Sequence, residues 1–418
     1  MKKSRITLAV VSLFLVLVTA VHLSGCAVVE AKDLMEGITP ATVDAGEITD
    51  GQNASVTDFA IRLLQATEKE GENTLLSPLS VLCALAMTAN GAEGETLAQM
   101  EEVLGMNVGE LNLYLYSYVT NLPQGEKYKL SLANSIWFTE NKRFTVNQGF
   151  LQTNANYYGA GIYQAPFDQG TCKAINGWVK EKTDGMIPHI LNQISPDAVM
   201  YLVNALAFEG EWTEVYMKNQ VKDGEFTKED GTKQRATFMN GTEGTYLEDG
   251  KATGFLKRYK DGKYAFVALL PNEGISVSEY VASLDGASLH ALLAKPQYTT
   301  VNASIPKFET ECDFELSEIL KSMGMTAAFD SDNADFSGLG SYADGNIYIG
   351  RVLHKTYLSL GEQGTRAGAA TVVEMEGEAA APHEPKRVCL DRPFVYMLVD
   401  LENNIPFFIG TAMDVASR

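Results

Sequence analysis

The sequence is short of the side chains that most catalysis needs. Five histidines, five cysteines and three tryptophans occur among 418 residues. No G-x-S-x-G elbow, H-E-x-x-H pair or phosphate-cradling glycine-lysine loop is present, so the common hydrolase, metalloprotease and nucleotide-binding motifs are missing and no enzyme is expected. Beyond the N-terminus the cysteines are Cys83, Cys172, Cys312 and Cys389. They are scattered, with no C-x-x-C pair and no histidine cluster, which leaves metal and cofactor sites without support. Disulfides among them cannot be paired from sequence, and partly buried free thiols are the plainer reading. Positive charge is also scarce: 33 Lys and Arg stand against 53 Asp and Glu, a net charge of −20. That balance repels phosphate backbones and argues against nucleic acid as a partner. It favours solubility and encounter with cationic proteins. Proline is absent between Pro306 and Pro382, a gap that matters below.

The first residues read as a processing signal. Lys2, Lys3 and Arg5 precede an apolar run from Ile6 to Leu23, followed by Leu23-Ser24-Gly25-Cys26. A basic start, an apolar stretch and small residues before a cleavage point describe a secretory signal. The run approaches the length of a spanning helix, so an uncleaved anchor is the alternative, and the small-residue site favours cleavage. The Cys26 context resembles a bacterial lipobox. That resemblance implies removal of residues 1–25, lipidation of Cys26, and a secreted, extracellular protein held at the membrane by its lipid alone. Residues 26–54 are poor in aromatics and rich in Ala, Gly, Thr, Asp and Glu, the composition of a flexible tether. The folded domain is expected over 55–418.

Hydrophobic residues make up 45% of the whole chain, which allows that domain a large core. A helical pattern starts near Thr57. Ser77-Pro78 then opens an Ala/Leu/Met-rich helix through Ala89, serine serving as cap and proline as first-turn residue. Further helices are expected near 94–104, 110–120, 147–158, 173–183 and 313–323. Strands are expected over Leu130–Phe138, Val199–Phe208, Tyr264–Leu270, Val301–Lys307, Val352–Leu360, Val395–Asp400 and Phe407–Thr411. Asp230-Gly231-Thr232 and Asp261-Gly262-Lys263 read as turns. Helices dominate early and strands late, without βαβ alternation, which indicates an α+β fold with large antiparallel or mixed sheets.

Several segments resemble the serpin family, in that family's order. They are Asn73 to Ser80 (NTLLSPLS), Asn204 to Trp212 (NALAFEGEW), Ile305-Pro306-Lys307-Phe308, Ala334 to Gly338 (ADFSG), His354-Lys355, and Asp391 to Tyr396 (DRPFVY). The resemblance covers about residues 55–414. It implies a single serpin-like domain with a large mixed central β-sheet, two further sheets, eight to nine helices and an exposed reactive-centre loop. It also implies that Trp212 marks the sheet top, and that Ser77, Ser80, Asn204 and His354 form the polar cluster controlling strand opening. The partner implied is a target serine protease, bound covalently by a monomer.

The loop falls on Gly361 to Pro382, which by composition alone would pass for a surface linker. To become a strand of the central sheet a segment must lack proline and obey a period of two. Residues 361–381 contain no proline. Thr365, Ala367, Ala369, Thr371, Val373 and Met375 form one uncharged face. Gly364, Arg366, Gly368, Ala370, Val372, Glu374 and Glu376 form the other, read here as solvated, and carry every charge. The hinge, Glu362 with Gly364 to Thr371, therefore reads as able to insert. A charge at Thr365 would instead be buried unpaired, at a cost of several kcal/mol.

The mechanism implied is suicide inhibition. The protease attacks the loop, and insertion must distort the acyl-enzyme before water frees it. The family's spacing from Glu362 places the scissile bond at Glu378–Ala379, while counting back from Pro393 lands near Pro382. The forward count is preferred because insertion length follows sheet depth. Glu378 suits a glutamyl-specific protease, and Ala379 to Ala381 suit elastase- or subtilisin-like pockets. No Lys or Arg lies between Arg366 and Lys386, which disfavours trypsin-like targets. Two other classes remain alongside: a non-inhibitory serpin acting in binding or folding, and a solute-binding lipoprotein, which would require paired βαβ lobes.

Overall fold

The computed structural model describes residues 31–416 apart from 45, 123–127, 141–142, 196–197, 261 and 366–383. Among the described residues there are nine α-helices: α1 (Asp50–Thr67), α2 (Pro78–Ala89), α3 (Gly94–Leu104), α4 (Val108–Thr120), α5 (Gln148–Tyr158), α6 (Gln169–Lys182), α7 (Val277–Ser283), α8 (Gly286–Ala294) and α9 (Ser317–Ser322). The strands in chain order are β1 (Lys32–Asp33), β2 (Thr74–Leu76), β3 (Tyr128–Thr139), β4 (Phe144–Val146), β5 (Gly161–Ala165), β6 (Met200–Glu211), β7 (Val221–Thr227), β8 (Lys233–Glu248), β9 (Ala252–Arg258), β10 (Tyr264–Pro271), β11 (Gln297–Pro306), β12 (Phe308–Glu315), β13 (Gly340–Tyr342), β14 (Arg351–Gly361), β15 (Gly364–Thr365), β16 (Lys386–Cys389), β17 (Phe394–Asp400) and β18 (Ile405–Ala412).

They form three sheets. A seven-stranded mixed sheet runs β1-β5-β3-β6-β15-β14-β12, with β3–β5 and β6–β14 parallel. A nine-stranded sheet runs β16-β11-β8-β9-β10-β17-β18-β2, with β7 attached to β8, and a third pairs β4 with β13. The architecture is that of the expected α+β domain.

β6 shows why the mixed sheet lies in the middle. It is a hydrophobic run buried on both faces, as central strands are. Met200, Leu202, Leu206 and Phe208 join the main core, which includes α2 and the nine-stranded sheet. Tyr201, Val203 and Ala205 join a second core with Cys172, Ile175 and Val179 of α6. α2 is apolar all round and every one of its residues is buried, because it lies beneath the sheet and has no solvent face. Ser77 caps it and Pro78 occupies its first turn, as the sequence indicates.

Three expectations are corrected. The flexible tether over 26–54 is not free along its described part. β1 pairs with Gln164 and Tyr163 of β5, Asn156 Oδ1 accepts from the Ala41 amide at 2.8 Å, and Ser117 Oγ donates to Gly46 O at 3.2 Å. Leu34, Met35, Ile38 and Ile48 pack on the core, spaced apolar residues that the polar average composition hides. α1 begins at Asp50, not near Thr57, behind a Thr49–Gln52 capping box. The helix expected over 313–323 shrinks to Ser317–Ser322, because Phe308–Glu315 alternates with period two and pairs with β14 along its whole length. As an edge strand β12 points Glu309, Glu311 and Asp313 outward, charges that oppose pairing with another chain.

Candidate functional site

The site is the seam between β6 and β14. These strands pair directly only where Tyr201–Ala205 meets Arg351–Lys355. Above that, no described strand pairs with Leu206–Glu209 on this side, and at the top β15 enters between the two strands. Leu360 and Gly361 of β14 face Thr365 and Gly364, and those two residues face Gly210 and Glu211 of β6.

Backbone and small side chains make this entry possible. Gly364 has φ +152°, and a Cβ there would come within 1.9 Å of Gly210 O, so the rung closes only around glycine. Three hydrogen bonds clip the turn that precedes it. Trp212 Nε1 donates to Gly361 O at 2.9 Å, the Trp212 amide to Gln363 O at 2.8 Å, and the Tyr216 amide to Glu362 O at 3.0 Å. Thr365 is buried beneath the sheet with its hydroxyl 2.5 Å from Tyr259 Oη. The Tyr259 ring stacks on Trp212 with centroids 4.4 Å apart. Glu362 remains half-exposed and pairs with Lys307 at 2.8 Å. Partial burial alone would raise its carboxyl, but the Lys307 hydrogen bond and charge outweigh it and hold it below the usual carboxylate range.

The lower end of the seam is a polar knot. Ser77, Ser80, Asn204 and His354, far apart in sequence, are all fully buried and in contact. The Ser77 amide donates to His354 Nε2 at 3.0 Å, so the neutral ring carries its proton on Nδ1, which lies 2.6 Å from Asn204 Oδ1. Ser80 Oγ donates to the same Oδ1 at 3.1 Å, and Ser77 Oγ accepts from the Ser80 amide at 3.4 Å. Burial pushes the His354 imidazole down to about 3, which keeps it neutral. Sequence reading missed Asn134. It stands directly opposite Asn204 on β3, and its Oδ1 and the Asn204 Nδ2 are both buried without a hydrogen-bond partner among the described residues. The signal available was its place, four residues into the Leu130–Phe138 strand and on the same side as Leu132 and Ile136.

Of the other expected site residues, Trp212 follows β6 at the sheet top. Hinge residues Arg366, Ala367, Gly368, Ala369, Ala370 and Thr371, the bond Glu378–Ala379, and Cys26 lie outside the described residues. Cys83, Cys172, Cys312 and Cys389 are free thiols.

The seam thus lies in a wide mixed sheet parted at one end, with a neutral polar knot below and a short strand entering above. The family model for Serpin (serine protease inhibitor) matches residues 54–415. Serpin B6 of Macaca fascicularis is 30% identical over 84% of this chain and 96% of its own length. The thermophilic serpin tengpin in its native state superposes with a TM-score of 0.89 at 47% identity, covering 93% of this chain and all of the other. Tengpin in its latent state gives a TM-score of 0.78 at 45% identity, covering 89% of this chain and 99% of the other. The chain belongs to the serpin family, whose members are generally protease inhibitors rather than enzymes.

Proposed function

We propose that this chain traps a serine protease as an acyl-enzyme by inserting its loop between β6 and β14. The observation that carries the reading is the start of that insertion: Gly364 and Thr365 already pair with both strands, uncharged and without steric conflict. Continuing the same antiparallel register places Ala367 opposite Phe208, Thr371 opposite Asn204, and Met375 opposite Met200, the last residue of β6. On the other side Thr371 falls opposite His354. The inserted strand would thus end near Met375, with Glu378–Ala379 just beyond the sheet. That length supports the forward count for the scissile bond.

The register also locates what insertion must undo. Thr371 would arrive between Asn204 and His354, where their hydrogen bond now spans the seam. Its hydroxyl can donate and accept, so the knot can reform around it. In this register the second face of the inserted strand, read from the sequence pattern as solvated, would be solvated only in part. Ala370, Val372 and Glu374 would fall opposite Ala205, Val203 and Tyr201, beneath α6. Two of those three are apolar, and Glu374 requires α6 to yield.

In the chemistry, the target's nucleophile attacks the Glu378 carbonyl carbon and the Ala379 amine departs, leaving an ester that water would hydrolyse. Strand formation removes the protease first. An elastase- or subtilisin-like target, or a glutamyl-specific one, fits the loop. We further propose that lipidated Cys26 holds the protein at the outer membrane face.

The test is incubation of the chain from Ala27 onward with pancreatic elastase, a subtilisin and a glutamyl-specific protease. Denaturing gels and mass spectrometry would follow. A band at the summed mass that resists denaturant, with a released fragment starting at Ala379, is expected. Clean cleavage by all three, with active protease and no gain in thermal stability, would favour a non-inhibitory serpin. Radiolabelled lipid incorporation lost in Cys26→Ala tests the anchor.

A further inference from the structure

The hinge turn rests on a buried cation that the insertion scheme does not use. Lys257, near the end of β9, is 3% exposed. Its ammonium lies 2.9 Å from Glu243 Oε1, on a side chain 11% exposed. It also lies 4.4 Å from the centre of the Tyr216 ring and 5.4 Å from that of Trp212. Lysine is almost never buried this far unless paired, and taking the charge out of water is costly. The rings it contacts belong to the two residues whose amides hold Gln363 O and Glu362 O. The Tyr216 hydroxyl has no hydrogen-bond partner among the described residues, so packing and the cation set that ring's position. From Trp212 the stack continues to Tyr259 and ends at the Thr365 hydroxyl.

We propose that Lys257 is a positioning residue for the hinge: held by Glu243, it fixes Trp212 and Tyr216, and through them the turn about which the loop swings into the sheet. A fixed turn lets insertion begin in one register. A loose turn must first find that register, and the delay favours hydrolysis of the acyl link over trapping. The kinetic half of this proposal rests on the inhibitory reading; the structural half does not.

Removing Lys257 alone would strand a buried carboxylate, so the test replaces both partners, Lys257→Met with Glu243→Leu. Lys257→Arg serves as the rescue, because a guanidinium both pairs with a carboxylate and stacks on aromatic rings. Amide exchange is read by mass spectrometry over residues 210–218 in the full chain. In the double variant, exchange there should be about tenfold faster or more, with β17 and β18 unchanged, and Lys257→Arg should restore it. Unchanged exchange over 210–218, or an equal rise everywhere, would overturn the proposal. Where the parent traps a protease, the inhibitor consumed per protease inactivated should rise several-fold in the double variant. An unchanged ratio beside a loosened turn would remove the kinetic half. If the parent traps nothing, the inhibitory reading fails, while the exchange experiment still decides what Lys257 holds.

Discussion

The two ends of the β6–β14 seam are closed by unlike chemistry. At the lower end four buried polar side chains and two main-chain amides form the knot, and His354 is the only titratable group among them. At the upper end the closure is made of backbone: two rungs through Gly364 and Thr365, and a turn clipped under Trp212. The lower knot is directional and neutral, so it holds until something supplies equivalent hydrogen bonds. The upper rungs are small and repeatable, so the next pair of residues can extend them. A strand can therefore lengthen from the top while the bottom resists premature opening. That asymmetry suits the proposed insertion, which has to start at the top.

The largest effect is expected at the upper end. Thr365→Arg would place a charge under the sheet beside Tyr259, where Thr365 is already buried, costing several kcal/mol and expelling the hinge from the seam. The variant is expected to be cleaved as a substrate, with the protease recovering full activity; persistent denaturant-resistant complexes would contradict the hinge assignment. At the lower end the lever is pH. The folded His354 value of about 3 lies below the ordinary value near 6.5, so unfolded or opened chains bind a proton that the closed knot refuses. Stability from the neutral ring is complete above about pH 6.5 and falls as pH drops towards 3, by up to about 1.4 kcal/mol per unit. His354→Gln should flatten that portion of the stability profile, measured by thermal unfolding between pH 7 and 4.5. A profile as steep as the parent's would place the sensitivity elsewhere.

Smaller effects sharpen the picture. Tyr259→Phe removes the partner of a buried hydroxyl, and about 1 kcal/mol of stability should go with it. Faster amide exchange at residues 362–365 is the local signature to measure. Glu362→Gln breaks a half-exposed pair with Lys307, where solvent screening limits the loss to less than about 1 kcal/mol. A chemical-denaturation midpoint close to the parent's is the expected result, and a large shift would mean that the ion pair, not the backbone clip, holds the turn.

Local patterns carried much of this fold. Ser77-Pro78 before an apolar run is a helix start by its own chemistry, and α2 begins there. Alternation in Val352–Leu360 and the continuous apolar stretch at Val199–Phe208 correspond to β14 and β6, because a central strand must bury both faces. The same reasoning passed over β7 and β8, whose polar outward residues blur the period, passed over β9 as well, and placed a helix over 313–323, whose first three residues pair with β14. It also passed over the docking of residues 31–49, where four apolar side chains suffice and average composition is silent.

Which residues can enter a sheet is legible in the chain alone: an uncharged alternate face from Thr365, no proline, and glycine at 364. Those are properties of single residues and their spacing, and they need no partner. The family resemblance grouped His354, Ser77, Ser80 and Asn204, but it took the packed fold to set which of their atoms bond, to stand Asn134 across from them, and to lay Lys257 under the hinge turn. Each depends on strands distant in the chain arriving side by side, and on burial that turns an ordinary imidazole neutral and a surface-type lysine into an anchor. Hydrogen-bond capacity is written in the residue; whether it is spent on water or across a seam is set by the packing around it.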